Sequence, residues 1–200
     1  LFSGRLQVRF EASLYGGRLN GEARQAPGEG GTVWDVKTRF VDLDIAEYPW
    51  LIRAEKPFLR GRLSGDLAMV FAADGQMQES ALLLRGQPLA LVGVPGGLFQ
   101  LQREIACDTL QGELKITPRQ AGNVVLTCQG KDLLIEARGT LAWKAPLAES
   151  QLNVRWQVRS EEAYKQEMDL LAVFVRKRPD RRGELSFRLQ GPLRQLRIGA

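Results

Sequence analysis

The residues that most often carry out enzyme chemistry are scarce in this sequence of 200 residues. Histidine is absent, which removes the commonest general base, the usual metal ligand and the base of a Ser-His or Cys-His pair. The remaining carboxylate pairs are Asp42 with Asp44 and Glu161 with Glu162. We interpret the first pair as solvated strand positions and the second as the start of a helix. The sequence therefore predicts a non-enzymatic protein with no catalytic residue; the alternative is an enzyme that uses two carboxylates, as glycosidases do.

The chain has two cysteines, Cys107 and Cys128, which are too few and too far apart for a zinc site. In an oxidising compartment such a pair forms a disulfide, whereas in a reducing cytosol both thiols are more often small buried hydrophobes. The sequence leaves these two alternatives open. The glycine-rich run 28–31 has no Lys followed by Ser or Thr and is typical of a loop, not of a phosphate-binding site. We predict no metal and no cofactor.

A cluster of cations is the strongest charge signal in the sequence. Five of the seven residues in 176–182 are basic, namely Arg176, Lys177, Arg178, Arg181 and Arg182. This cluster suits phosphate or an anionic lipid surface, because each cation near a charged membrane contributes about 1 kcal/mol. The alternative is a solvated turn between a helix and a strand. No aromatic residue is interleaved with the cations, so we do not expect nucleic acid as a partner.

Hydrophobic and polar residues alternate along much of the chain, which is the pattern of a β-strand with one buried face. The alternation is seen in 6–12, 67–73, 133–143, 152–158 and 185–189. Turn signals at 16–17, 27–31, 74–75, 95–97, 118–123 and 179–180 separate these runs. Their close spacing favours hairpins, because parallel strands need crossovers of about a dozen residues. The sequence therefore predicts a mainly β fold, a large antiparallel curved sheet, within one domain of residues 1–200.

One helix interrupts the β pattern, near residues 161–176. Ser160 is its candidate N-cap, and Tyr164, Met168 and Leu171 fall on one side. A shorter helical turn is the second candidate, around 46–54. One short helix is too small to cover the apolar face of such a sheet. The sheet is therefore expected to fold into a sandwich or to leave an open hydrophobic groove. In either arrangement, we expect Trp143 and Trp156 to pack on the apolar side of their strands.

The order of several short segments resembles that of a known family. These segments are 34–45, 47–50 and 61–67 in the first half and 110–114, 124–128, 137–141, 147–152 and 183–193 in the second. On these segments the chain resembles the type II secretion system protein N family, within the broader group of AsmA-like envelope proteins. The closing segment GELSFRLQGPL, residues 183–193, is the most suggestive.

This resemblance implies a periplasmic β-rich domain that is anchored to the inner membrane by a segment absent from this chain. It also implies an accessory role in the machinery that exports folded proteins across the outer membrane, with other secretion-system envelope proteins as partners. AsmA-like proteins are associated with lipid handling along hydrophobic β grooves, so lipid is the alternative partner. We therefore expect a non-enzymatic domain that acts by protein–protein contacts, and the alternative is a groove that binds lipid or another hydrophobe.

Overall fold

The computed structural model describes residues 6–28, 31–47, 59–93, 100–117, 121–144 and 146–199. Within them the chain forms twelve β-strands, one α-helix and four 3-10 turns. The first six strands are β1 (Gln7–Leu14), β2 (Gly17–Gly28), β3 (Gly31–Asp44), β4 (Leu59–Ala72), β5 (Met77–Gly93) and β6 (Gln100–Cys107). The other six are β7 (Thr109–Ile116), β8 (Ala121–Gln129), β9 (Leu133–Ala142), β10 (Gln151–Ser160), β11 (Glu184–Pro192) and β12 (Arg197–Gly199). The helix is α1 (Lys165–Val175), and the 3-10 turns are Ile45–Glu47, Leu147–Glu149, Glu162–Tyr164 and Leu193–Gln195.

All twelve strands belong to one antiparallel sheet, which confirms the predicted fold class. The spatial order follows the chain from β1 to β5 and from β7 to β12, while β6 also pairs with β5. Sequential strands pair because short turns join most of them, as predicted from the turn residues. Of the two expected arrangements, the described residues form an open sheet and no second sheet that would complete a sandwich.

The longest strand, β5, pairs on one side with two strands, in one register from Ser80 to Leu91 and with a shift between Leu91 and Gly93. Its first part lies against β7, with Gly86 opposite Leu110, and its later part lies against β6, with Leu89 opposite Cys107. The two pairings keep the same offset, so β6 and β7 are one long strand that is interrupted at Asp108. The sequence did not predict this continuity.

The ladder registers place hydrophobic side chains on one face across the whole sheet. Directly paired residues share a face, so one row of side chains can be followed from strand to strand. The central row crosses ten strands through Ala12, Leu19, Phe40, Gly65, Leu84, Gly112, Leu126, Ala137, Trp156 and Phe187. The opposite face carries exposed ion pairs, such as Arg39 with Asp66 at 2.7 Å. The predicted separation into an apolar and a polar face is confirmed.

At two positions of the apolar face, a phenylalanine ring lies across a glycine of the neighbouring strand. A Cβ on Gly65 would lie 2.6 Å from Cζ of Phe40 and 2.2 Å from the carbonyl oxygen of Leu83. A Cβ on Gly21 would lie 2.2 Å from Cζ of Phe10 in the adjacent row. These positions require glycine for packing, because any side chain would displace the ring.

Helix α1 joins β10 to β11 and covers one end of the apolar face. Its buried side, with Tyr164 just before it, contains Met168, Ala172 and Val175 and packs on a cluster that includes Leu185, which is fully buried. The predicted apolar side of the helix is confirmed, with Leu171 partly buried against the same cluster.

The helical segment lies where it was predicted, but the predicted N-cap is wrong. Ser160 is the last residue of β10 and stays in the ladder opposite Leu133, so it does not cap the helix. Glu161 precedes a 3-10 turn without a side-chain cap, and the α-helix itself begins at Lys165. The predicted turn at 118–123 ends earlier than expected, since β8 begins at Ala121. Of the candidate turn at 46–54, the described part is a 3-10 turn at Ile45–Glu47, and the rest lies outside the described residues, as does the loop at 95–97.

Candidate functional site

In each carboxylate pair that the sequence offered for catalysis, one carboxylate makes a local contact, Asp44 in the first pair and Glu162 in the second. Asp44 accepts a hydrogen bond from the backbone N–H of Ala46 at 2.9 Å, and Asp42 lies at an irregularity of β3 where its own N–H donates to Ser64 Oγ. Glu162 pairs with Lys165 at 3.0 Å on an exposed surface. In the described part of the chain, no group of three or more metal-ligating side chains could hold an ion.

The cysteines form a disulfide between β6 and β8 in the structure. The Cα atoms of Cys107 and Cys128 are 5.6 Å apart, within the normal range for a disulfide. Both residues are buried below α1, next to Leu133 and Leu185. β6 pairs with β5, and β8 pairs with β7. The disulfide therefore links two described strands that share no ladder hydrogen bonds. Its role here is structural.

The basic cluster begins at the C-terminal end of α1. Arg176 adopts the left-handed conformation with φ 55°, and the N–H of Lys177 donates to the carbonyl oxygen of Ala172 at 2.9 Å. This is the hydrogen-bond pattern of a Schellman motif, in which the left-handed residue is usually glycine. The helix therefore ends at this residue. Arg176 occupies a position where the positive φ costs conformational energy for any residue with a Cβ.

Asp180 holds the rest of the cluster in a tight reversal. Its carboxylate accepts hydrogen bonds from the backbone N–H of Glu184 at 2.9 Å and of Arg182 at 2.8 Å. These bonds, that from Glu184 above all, lower the pKa of the Asp180 carboxyl below its ordinary value. The carboxylate therefore serves the backbone of the turn, and Arg181 and Arg182 lie exposed at its tip.

We call the five cations, Arg176, Lys177, Arg178, Arg181 and Arg182, the basic turn. None of them forms an ion pair with another described residue, although nine other cations of the described chain do. Lys177 is partly buried and the other four are exposed. The structure thus brings the predicted cluster together as one surface of net positive charge, in which Asp180 interacts electrostatically with Arg182.

The outward side of α1 carries hydrophobic residues that the sequence analysis missed. Leu170, Val173 and Phe174 are 39%, 76% and 51% exposed, and we call them the helix patch. Their i, i+3, i+4 spacing places them on one side of the helix. This spacing could have predicted the helix patch from the sequence. It was missed because Met168 and Leu171 give the same helix a second apolar side, which is the buried one. The helix patch ends two residues before the basic turn begins.

Among the described residues, the first strand forms an open edge of the sheet. All eight residues of β1 are exposed, and among the described residues β1 pairs with β2 alone. Its apolar side includes Val8 and Phe10, which are 46% and 38% exposed. Natural edge strands are usually short or carry charged side chains, Pro or a bulge. β1 has no Pro and no bulge, and its two charged residues, Arg9 and Glu11, lie on the polar face. This edge can accept a partner strand.

Trp156 lies in the centre of the apolar face with an unsatisfied polar atom. Its ring stacks on Phe187, with centroids 6.2 Å apart and planes inclined by 4°. Its position on the apolar side was predicted, but its buried indole Nε1 has no hydrogen-bond partner among the described residues. A buried N–H without an acceptor costs about 1–3 kcal/mol, so this donor is a candidate contact for an oxygen of a bound molecule.

A cavity of about 510 Å³ lies on the polar face over the first strands. Four of the five charged residues of its lining are already engaged, since Glu22 pairs with Arg24, Lys37 with Asp35 and Arg39 with Asp66. We therefore regard the β1 edge, the apolar face and the helix patch with the basic turn as the candidate interaction surfaces.

The helices of the described residues include none with the length and hydrophobicity of a membrane span. No family model, curated protein or solved structure matches the chain.

Proposed function

We propose that this chain is a non-enzymatic accessory component of the type II protein secretion machinery, a periplasmic β domain that acts by protein–protein contacts. The observation that carries the proposal is the open β1 edge. The resemblance in sequence to the type II secretion system protein N family supplies the class of machinery. The partners are other envelope proteins of that machinery.

The β1 edge suits strand addition. Alternate backbone N–H and C=O groups of an edge strand point away from the sheet, where a second strand pairs with them. The eight residues of β1 span about 26 Å at the usual rise per residue. A partner strand would continue the apolar face beside Val8 and Phe10 and the polar face beside Arg9 and Glu11. A segment with alternating hydrophobic and polar residues therefore fits this edge.

The disulfide supports the periplasmic location. Structural disulfides form and persist in oxidising compartments and are rare in the cytosol. The Cys107–Cys128 bond is buried and joins two strands that do not pair with each other, so it is part of the fold. A periplasmic domain would form this bond during folding.

A secretion assay in cells that lack the protein tests the proposal. We expect Val8→Lys combined with Phe10→Lys to abolish export of a type II substrate, because two lysines on the edge block strand pairing. The matched control is Val41→Lys with Leu83→Lys, since these hydrophobes are 38% and 41% exposed on the polar face, away from the edge. Normal export by cells without the protein, or equal loss with both double variants, would reject the proposal.

Site-specific photocrosslinking identifies the occupant of the edge. A crosslinker at Arg9 or Glu11 should label a secretion-system envelope protein, and the Val8→Lys/Phe10→Lys background should remove the product. Labelling of a second copy of the chain would instead assign the edge to self-association.

The alternative function is a hydrophobe-binding groove, and Trp156 favours it. The apolar face is continuous across ten strands, and the unsatisfied indole N–H suits an ester or carboxyl oxygen of a lipid. Lipid extraction and mass spectrometry of the purified protein should then detect a stoichiometric lipid. Trp156→Phe keeps the ring but removes the N–H, so it should reduce that occupancy. A lipid-free parent protein would exclude the groove.

A further inference from the structure

The outward side of α1 is hydrophobic where a solvated helix is usually polar. Val173 has the largest exposed fraction, 76%, among the exposed large hydrophobic residues of the described chain, and Phe174 beside it is half exposed. The other side of the same helix is already packed on the sheet through Met168 and Val175. The helix patch is therefore surplus to the core, and contiguous exposed apolar residues mark interaction sites.

The charge around this patch is positive at one end. The basic turn follows Phe174 within two residues and has no ion pair with a described residue. The exposed acidic residues of the helical segment are Glu161 and Glu162 at its start, where Glu162 is paired with Lys165, and Asp169, one turn before Val173. Asp180, the acidic residue inside the basic turn, is engaged by backbone N–H groups. The C-terminal end of α1 thus combines exposed hydrophobes with free cations.

Arg176 adds an independent observation. Its left-handed backbone, φ 55°, is one that glycine adopts without cost and other residues adopt at a penalty. Strained positions are concentrated at functional sites. An arginine at this position places a cation directly beside the helix patch.

From these observations we propose that the helix patch and the basic turn form a peripheral binding surface for an anionic phospholipid bilayer. Val173 and Phe174 would enter the boundary between head groups and acyl chains while the arginines contact phosphate oxygens, which is the usual arrangement of an interfacial amphipathic segment. An acidic protein would be recognised by the cations and would not need the exposed apolar patch. The surface uses residues other than those of the β1 edge, so it does not depend on the proposed function.

Vesicle flotation tests the charge requirement. The chain should bind vesicles of 70% phosphatidylcholine and 30% phosphatidylglycerol, bind pure phosphatidylcholine far less, and detach as salt is raised. The triple variant Arg178→Gln, Arg181→Gln and Arg182→Gln should lower the partition coefficient about a hundredfold, at about fivefold for each cation. The matched control removes three exposed cations elsewhere, Arg18, Arg85 and Arg188, and should bind like the parent. Equal binding to both vesicle types, or equal loss in the control, would overturn the proposal.

A label on the helix tests insertion. Because the native cysteines are joined, Val173→Cys provides one reactive thiol for an environment-sensitive fluorophore, whose emission should shift to the blue with the anionic vesicles. Val173→Gln with Phe174→Gln should weaken vesicle binding while the thermal melt stays that of a folded protein. The proposal fails if the emission of the label is unchanged while the protein binds the vesicles. It also fails if free polyglutamate displaces the protein from anionic vesicles as effectively as added anionic vesicles do, because the surface would then recognise negative charge alone.

Discussion

Reduction of the Cys107–Cys128 bond is the perturbation whose effect on stability can be worked out most directly. The bond closes a loop between residues that are 21 positions apart. In the chain-entropy description, a cross-link of this length restricts the unfolded chain and contributes about 3 kcal/mol to the free energy of unfolding. The free thiols would stay buried as small hydrophobes, so the folded state should lose little packing. The effect therefore acts through the unfolded state.

Paired urea titrations, with and without reductant, measure this effect through tryptophan fluorescence, and the reduced protein should unfold at a lower urea midpoint. In a thermal melt of a chain of this size, the same change of about 3 kcal/mol lowers the melting temperature by roughly 6–12 °C. The double variant Cys107→Ala and Cys128→Ala is the control, because its unfolding should not respond to reductant. Thiol counting under denaturing, non-reducing conditions should find no free thiol in protein from an oxidising compartment.

Two results would refute this reasoning. An unchanged urea midpoint in fully reduced protein, with two thiols titrated, would mean that the unfolded chain keeps the β6–β8 region together without the bond. Two free thiols in the untreated protein would show that the disulfide does not form. The first result is compatible with the disulfide between β6 and β8, whereas the second would contradict it.

Three further predictions concern the backbone and the basic turn. Gly139→Ala should lower the free energy of unfolding in urea by roughly 1–3 kcal/mol, because its Cβ would lie 2.0 Å from the carbonyl oxygen of Asn153; Gly112→Ala, with its nearest contact at 3.2 Å, should cost less. The Asp180 carboxyl has a lowered pKa in the folded state, so its ionised form stabilises the fold above about pH 3.8 and this stabilisation is lost as the pH falls through the folded-state value. Asp180→Asn should therefore melt below the parent at neutral pH, and the gap should narrow in strong acid. Arg176→Gly should raise stability by about 1 kcal/mol, since it relieves a positive φ, and should weaken binding to anionic vesicles; parallel loss of both would contradict the strain argument.

The sheet could be predicted from the sequence because the pleat gives side chains a period of two. In β9, Leu133, Ile135, Ala137 and Leu141 share the apolar face, as their alternation indicated. Short turns then required antiparallel neighbours, and the strand order followed the chain. The position of the five cations in one turn could also be predicted, because they are close in sequence.

The remaining features depend on contacts that are distant in sequence. The register of β5 with both β6 and β7 is set by pairing over a long hairpin, and no local signal marks Asp108 as an interruption within one strand. Helix α1 has hydrophobic residues on two sides, and only its packing on the sheet decides that Met168 is buried and Val173 is exposed. Ser160 has the chemistry of an N-cap, but the ladder with Leu133 holds it in β10. In each case tertiary structure overrides a local preference.

Among the described surfaces, the β1 edge suits a partner strand best. β1 is 8 residues long, and its outer backbone groups pair with no described strand, which in a free protein favours aggregation. Its charged residues, Arg9 and Glu11, lie on the polar face, so Val8 and Phe10 stay exposed on the apolar face. A partner strand that covers this edge in the working state would remove the aggregation hazard. We therefore expect crosslinks from the middle of β1 and none from Arg138, which is exposed on β9 between two paired strands, and equal labelling from both positions would contradict the assignment of the edge.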